Sequence, residues 1–174
     1  MANLPTTHVL VDDAYVALVG KAVYVFAYYE WAIIWVIERL QPGFVAKYSR
    51  EKVMTSSAVY GDFLKALNDL PSSFEDAVGT ELRACCATFK ELIVKRNALI
   101  HAHPATDSDG QQILVYQTQT TKPLPDMKWP QPEIECAILE FDAAACTASN
   151  LLERLTLLRG YPPKCSPQSA TVAV

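Results

Sequence analysis

One hexapeptide in this chain, Arg96-Asn97-Ala98-Leu99-Ile100-His101, gathers three side chains suited to phosphate chemistry. The Arg96 guanidinium can grip two phosphate oxygens at once, the Asn97 amide can orient a ligand, and the His101 imidazole can move protons near neutral pH. Asn97 and His101 are four residues apart and share one flank of a helix. Arg96 and His101 are five apart, about 140° around an ideal helix, so regular geometry alone does not aim them at one point. The length of Arg96, unwinding ahead of Pro104, or a second subunit would have to unite them. A two-fold interface would do so by placing one Arg and one His from each protomer in a shared cleft. Lys95 and His103 flank the hexapeptide and, with Lys90, make this helix end locally basic.

Arg96 falls on the apolar stripe of its own helix, with Val78, Leu82, Cys85, Phe89, Ile93 and Ile100, and so points inward. Glu30 lies in the same way among Val19, Val23, Phe26, Ile33 and Ile37. An unpaired buried charge costs several kcal/mol, so the spacing predicts that Glu30 and Arg96 pair across two helices, whether to serve a site or to fix helix register. His103, just beyond the helix end, would either support the site or act as a cation beside the last carbonyls.

Four long helices must position these groups. The first runs from about Asp12 to Leu40 and stops at Pro42-Gly43. It is apolar on two sides, with Tyr24, Tyr28, Trp31 and Trp35 nearly opposite the Val19–Ile37 stripe, which suggests a second helix or subunit on its aromatic side. The second spans about Ser56 to Leu70, and the third follows Ser72-Ser73, read as N-cap residues, and persists to about Ala102. The fourth covers about Glu133 to Leu158. Between Pro104 and Pro132, the turn-forming Asp107-Ser108-Asp109-Gly110 and the β-prone Ile113-Leu114-Val115-Tyr116 predict a small hairpin or irregular flap. The expected fold is all-α: an up-and-down four-helix bundle with that flap between helices 3 and 4. Residues 1–160 form one domain and 161–174 a flexible C-terminal tail.

A chain of 174 residues with 51% hydrophobic and 20% charged content fills one core and leaves apolar surface for another subunit. Its net charge of -4 excludes binding of polyanions by bulk charge, so any nucleic-acid contact must come from a local patch. Five cysteines without Cys-x-x-Cys or zinc-finger spacing point to free thiols, no metal and no cofactor. No basic stretch followed by an apolar segment opens the chain, which fits a cytoplasmic location. The apolar run Val23–Ile37 is interrupted by Glu30 and bounded by Lys21, Glu38 and Arg39, so no membrane insertion is expected.

The Arg96-x4-His101 hexapeptide, with a polar residue directly after the Arg, resembles the signature of the HEPN superfamily, helical-bundle proteins of toxin, antiphage and eukaryotic RNase systems. The resemblance implies a homodimer with two Arg/His pairs in one cleft. It also implies metal-independent endoribonuclease activity that leaves a 2′,3′-cyclic phosphate. His101 would move a proton or activate the ribose, Arg96 would stabilise the scissile phosphate, and Asn97 would orient it. Glu30, Lys95 and His103 would be supporting residues, RNA the substrate, and an antitoxin protein a possible partner. Some HEPN toxins carry a Tyr two residues after the His as a target for antitoxin modification; here His103 stands there, which departs from that form of control. Two other readings compete. One is a HEPN-like module that binds RNA or nucleotide, or serves as a dimeric partner, without catalysis. The other is an unrelated helical protein whose Tyr24–Trp35 stripe binds an apolar ligand or a partner helix.

Overall fold

The computed structural model describes residues 11–50, 54–117 and 126–160; the tail expected at 161–174 lies outside the described residues. The described chain is mostly helical and forms α1 (Asp13–Leu40), α2 (Phe44–Arg50), α3 (Ser56–Asn68), α4 (Ser72–Ile100), β1 (His103–Thr106), β2 (Gln112–Tyr116), β3 (Met127–Trp129) and α5 (Gln131–Leu158). The four long helices stand where their apolar periodicity predicts. The seven-residue α2 and the third strand are additions to the expected plan.

Local chemistry explains the element ends. Asp12 is extended, and its Oδ1 accepts hydrogen bonds from the N–H groups of Ala14 and Tyr15, satisfying donors that the first turn of α1 leaves open. At the other end Gly43 takes a φ of 97°, a left-handed value that favours glycine, and the Glu38 carboxylate accepts from Gly43 and Val45 N–H at 3.0 and 2.8 Å. This turn starts α2, which leaves a periodicity signal too short to read. Thr55 caps α3 by accepting from Ala58 N–H at 3.2 Å. The start of α4 corrects the sequence reading: Pro71 occupies the cap position with no side-chain bond, and Ser72 and Ser73 lie inside the first turn. Pro71 fits there because the position before a helix needs extended backbone.

The flap is an antiparallel sheet of order β1-β2-β3, with His103 opposite Val115 and Leu114 opposite Trp129. Asp107 Oδ1 accepts from Asp109 and Gln111 N–H and closes the β1–β2 turn. The Tyr15 hydroxyl clasps the sheet to α1, donating to the Trp129 carbonyl at 2.5 Å and accepting from Leu114 N–H at 2.9 Å.

The core centres on α1, whose Phe26, Tyr29, Ile33 and Ile37 are buried against α4 and α5. Phe26 stacks on Phe89 and meets Phe141 edge-on at 5.2 Å. Helix directions follow from the end contacts. Tyr15 near the start of α1 meets Trp129 just before α5, while the Leu40 carbonyl at its end accepts from Arg159 just after α5. The two helices therefore run in the same sense, where an up-and-down bundle would set first and last helices antiparallel. The difference arises because α3 starts beside Glu30, partway back along α1, so an additional return through α2 precedes it. Against α5, α4 runs antiparallel, tied by Lys95–Glu140 near its end and Arg154–Glu81 near its start.

By length and composition α1 is apolar enough to cross a membrane. Its inner side supplies the middle of the core, and its outer side exposes Val16, Tyr24, Tyr28 and Trp31. Trp35, at the end of this aromatic face, is half-buried under the Arg39 guanidinium.

Candidate phosphate-handling cleft

A cleft of about 410 Å³ opens where the end of α4, the middle of α1 and the start of α3 meet. Its walls carry Arg96, Asn97 and His101 from α4 and its cap, Glu30 from α1, and Met54, Thr55, Ser56 and Ser57 leading into α3. Four of the six side chains singled out from the sequence thus border one cavity within a single chain.

The angular problem between Arg96 and His101 is resolved by side-chain length. Arg96 Nη1 donates to Asn97 Oδ1 at 3.0 Å, which turns the guanidinium from its own azimuth toward the flank that Asn97 shares with His101. His101 is the C-cap residue, with φ -101° and ψ 5°, and its N–H bonds to the Asn97 carbonyl. Its imidazole is exposed at the cleft edge. Ile100, expected in the core stripe, is also exposed, while Ala98 and Leu99 beside it are buried and carry the packing at this end of α4.

The Glu30–Arg96 ion pair predicted from the sequence does not form. Arg96 lies over the Phe26 ring, 5.5 Å from Cζ to centroid, one helical turn before Glu30, and spends a donor on Asn97. The ring face offsets part of the cation's desolvation in place of a carboxylate. Glu30 Oε1 is buried and accepts no hydrogen bond from any described residue. Its charge nevertheless reaches Tyr48: burial, and then the Glu30 carboxylate, push that phenol above its ordinary range.

The remaining two predicted residues lie elsewhere. Lys95 projects to α5 and pairs with Glu140 at 2.6 Å, and His103 is exposed on β1 opposite Val115. Neither lines the cleft. Lys90 sits over the Tyr60 ring at 5.9 Å, so it packs α4 on α3. Thr55, Ser56 and Ser57 also line the cleft and are not singled out by the sequence. Their run of hydroxyls marks a helix start, but nothing local places that start against Arg96.

Other cavities offer less chemistry. A larger recess of about 720 Å³ beside the sheet is lined by Asp12, Tyr15, Gln112, Gln131 and neighbours, without a cation, histidine or thiol. A smaller one of about 190 Å³ touches Tyr29 and Cys85. Burial and its neighbour Cys86 raise the Cys85 thiol to about 12, and burial raises Cys86 to about 11, so both are held as unreactive thiols. Among the described residues no group of three or more His, Cys, Asp or Glu is placed to hold a metal ion. In comparison with known proteins, no family model, no curated protein and no solved structure matches this chain.

Proposed function

We propose that this chain is a metal-independent endoribonuclease of toxin or antiphage type, working from the Arg96–Asn97–His101 cleft of a cytoplasmic homodimer. The observation that carries the reading is the convergence of Arg96, Asn97 and His101 on one cavity although their spacing alone would part them. The hexapeptide's resemblance to the HEPN signature supports it, with α1, α3, α4 and α5 as the four-helix core of such a domain.

The chemistry is transesterification. Glu30, which borders the cleft, accepts the proton of a ribose 2′-hydroxyl as that oxygen forms a bond to phosphorus. The bond from phosphorus to the 5′-oxygen breaks, and protonated His101 gives its proton to that leaving oxygen. Arg96 neutralises the charge that builds on the non-bridging oxygens, and Asn97 holds the guanidinium in place. The products are a 2′,3′-cyclic phosphate and a 5′-hydroxyl. The exposed Tyr24, Tyr28 and Trp31 provide an apolar face for the second protomer. An antitoxin protein would be a further partner.

The test is cleavage of cellular RNA in EDTA by the purified protein, with His101→Ala and Arg96→Ala beside it, scoring 2′,3′-cyclic phosphate ends. Cutting by wild type that both substitutions abolish is the expected result. No cutting by a folded, dimeric wild type would overturn catalysis and leave a module that binds RNA or nucleotide.

A further inference from the structure

The cleft that Arg96 borders is also lined by the first turn of α3, a helix of 13 residues. Its Ser56 and Ser57 N–H groups point out of the helix start, where no carbonyl of α3 can reach them. Thr55 already spends its hydroxyl on Ala58 N–H. Ser56 is 7% exposed, borders the cleft, and its hydroxyl makes no hydrogen bond among the described residues. The Ser56 hydroxyl is not among the buried oxygens left without a partner, so on an otherwise buried residue it keeps access to the cleft and to a ligand there. The positive end of the helix dipole adds to the field of Arg96 in the same cleft.

We infer that the α3 first turn is a phosphate cradle. The Ser56 and Ser57 N–H groups and the Ser56 hydroxyl take non-bridging oxygens of a ribonucleotide phosphate that Arg96 also grips. Glu30 sets the class of ligand. Its carboxylate opposes a bare dianion and, bordering the cleft, offers an acceptor to a donor, so the cleft suits a phosphate carrying a hydroxyl close by, as a ribose does. The inference rests on the ribonuclease reading for the identity of the substrate, but binding can be measured without cleavage.

The experiment titrates the full chain with each of the four ribonucleoside 3′-monophosphates, which cannot be cleaved, by calorimetry at low salt. Ser57→Asp is the informative variant. An aspartate in a first turn favours the helix, so it keeps α3 folded while it repels phosphate. Ser57→Pro removes one N–H at the second helical position, where α5 itself carries Pro132. Ser73→Asp makes the same charge change at the exposed first turn of α4, away from the cleft. Binding of at least one nucleotide that weakens about tenfold or more in Ser57→Asp, severalfold in Ser57→Pro, and less than about twofold in Ser73→Asp is expected. Wild-type affinity in Ser57→Asp, or no binding of any of the four by the wild type at millimolar concentration, would overturn the cradle. If RNA is cut but the α3 variants cut as wild type, the cradle fails and the ribonuclease stands. If the α3 variants lose nucleotide binding while no form cuts RNA, the cradle stands and the ribonuclease fails.

Discussion

Asn97→Asp isolates the electrostatics of the cleft, because it changes one atom and one charge. Asn97 Oδ1 already accepts from Arg96 Nη1 at 3.0 Å, so the aspartate would meet the guanidinium in the same place. At an effective dielectric constant of 20, a pair of opposite charges 4 Å apart attracts by about 4 kcal/mol. Both side chains are half-buried, so solvent and side-chain entropy reduce this to a net gain of about 1 kcal/mol in stability. A phosphate held by Arg96 would lie roughly 6 Å from the new charge, and the same expression gives a repulsion of about 3 kcal/mol, a loss of about a hundredfold in kcat/KM. Asn97→Ala removes the positioning bond without adding charge and is expected to cost about 1 kcal/mol, roughly five- to tenfold. The assay is initial-rate RNA cleavage at two ionic strengths, with thermal unfolding alongside. The gap between the two variants should narrow at high salt as the repulsion is screened. If Asn97→Asp cuts within about threefold of wild type, or Asn97→Ala is the weaker enzyme, Arg96 does not hold the phosphate from this position.

Tyr15→Phe leaves Leu114 N–H and the Trp129 carbonyl without their shared partner, and urea unfolding should show a loss of about 2–4 kcal/mol; a loss below about 0.5 kcal/mol would mean the clasp is dispensable. Burial raises the Asp62 carboxyl, but hydrogen bonds from Lys65 and Lys47 and their charges outweigh it and hold Asp62 below its usual range. Its contribution is therefore present above the unfolded pKa of about 4 and lost as pH falls through the lower folded value, so wild type should exceed Asp62→Asn by about 1 kcal/mol at pH 7 and converge with it toward pH 2. Alkylation at pH 8 should modify the exposed Cys136 and Cys146 in the native chain and reach Cys85 and Cys86 only on unfolding; rapid native labelling of Cys85 would contradict its burial.

The long helices were legible because each carries a sustained apolar period and a boundary signal, a start at Asp12 and stops at Pro42-Gly43 and Pro71. Two kinds of feature were not. Short elements such as α2 depend on a single capping side chain, here Glu38 accepting from Gly43 and Val45 N–H, and seven residues do not display a period. Helix direction depends on where the next helix begins in space. The α1 and α5 pair runs in one sense because Tyr15 and Leu40 find Trp129 and Arg159, contacts more than a hundred residues away in sequence. Ser72-Ser73 misled for a further reason: a proline already in extended backbone can occupy the cap position without donating or accepting through a side chain.

The candidate site shows what a helical wheel does and does not determine. Azimuth placed both Glu30 and Arg96 on inward faces, and both do border one cavity. A wheel carries no information on axial height or on rival partners. Phe26, one turn before Glu30, takes the guanidinium face, and Asn97, the next residue along α4, takes one of its donors. Those two contacts keep Arg96 away from the carboxylate and toward His101. Stability alone would favour closing the pair, since a buried carboxylate oxygen without a hydrogen-bond partner is a standing cost. Two opposite charges held apart across a cavity keep both available to a third group, whereas a closed ion pair would have neutralised each with the other. Together with the unpartnered Ser56 hydroxyl and the open helix start of α3, that separation is the physical basis of the proposal that the cleft receives a ligand.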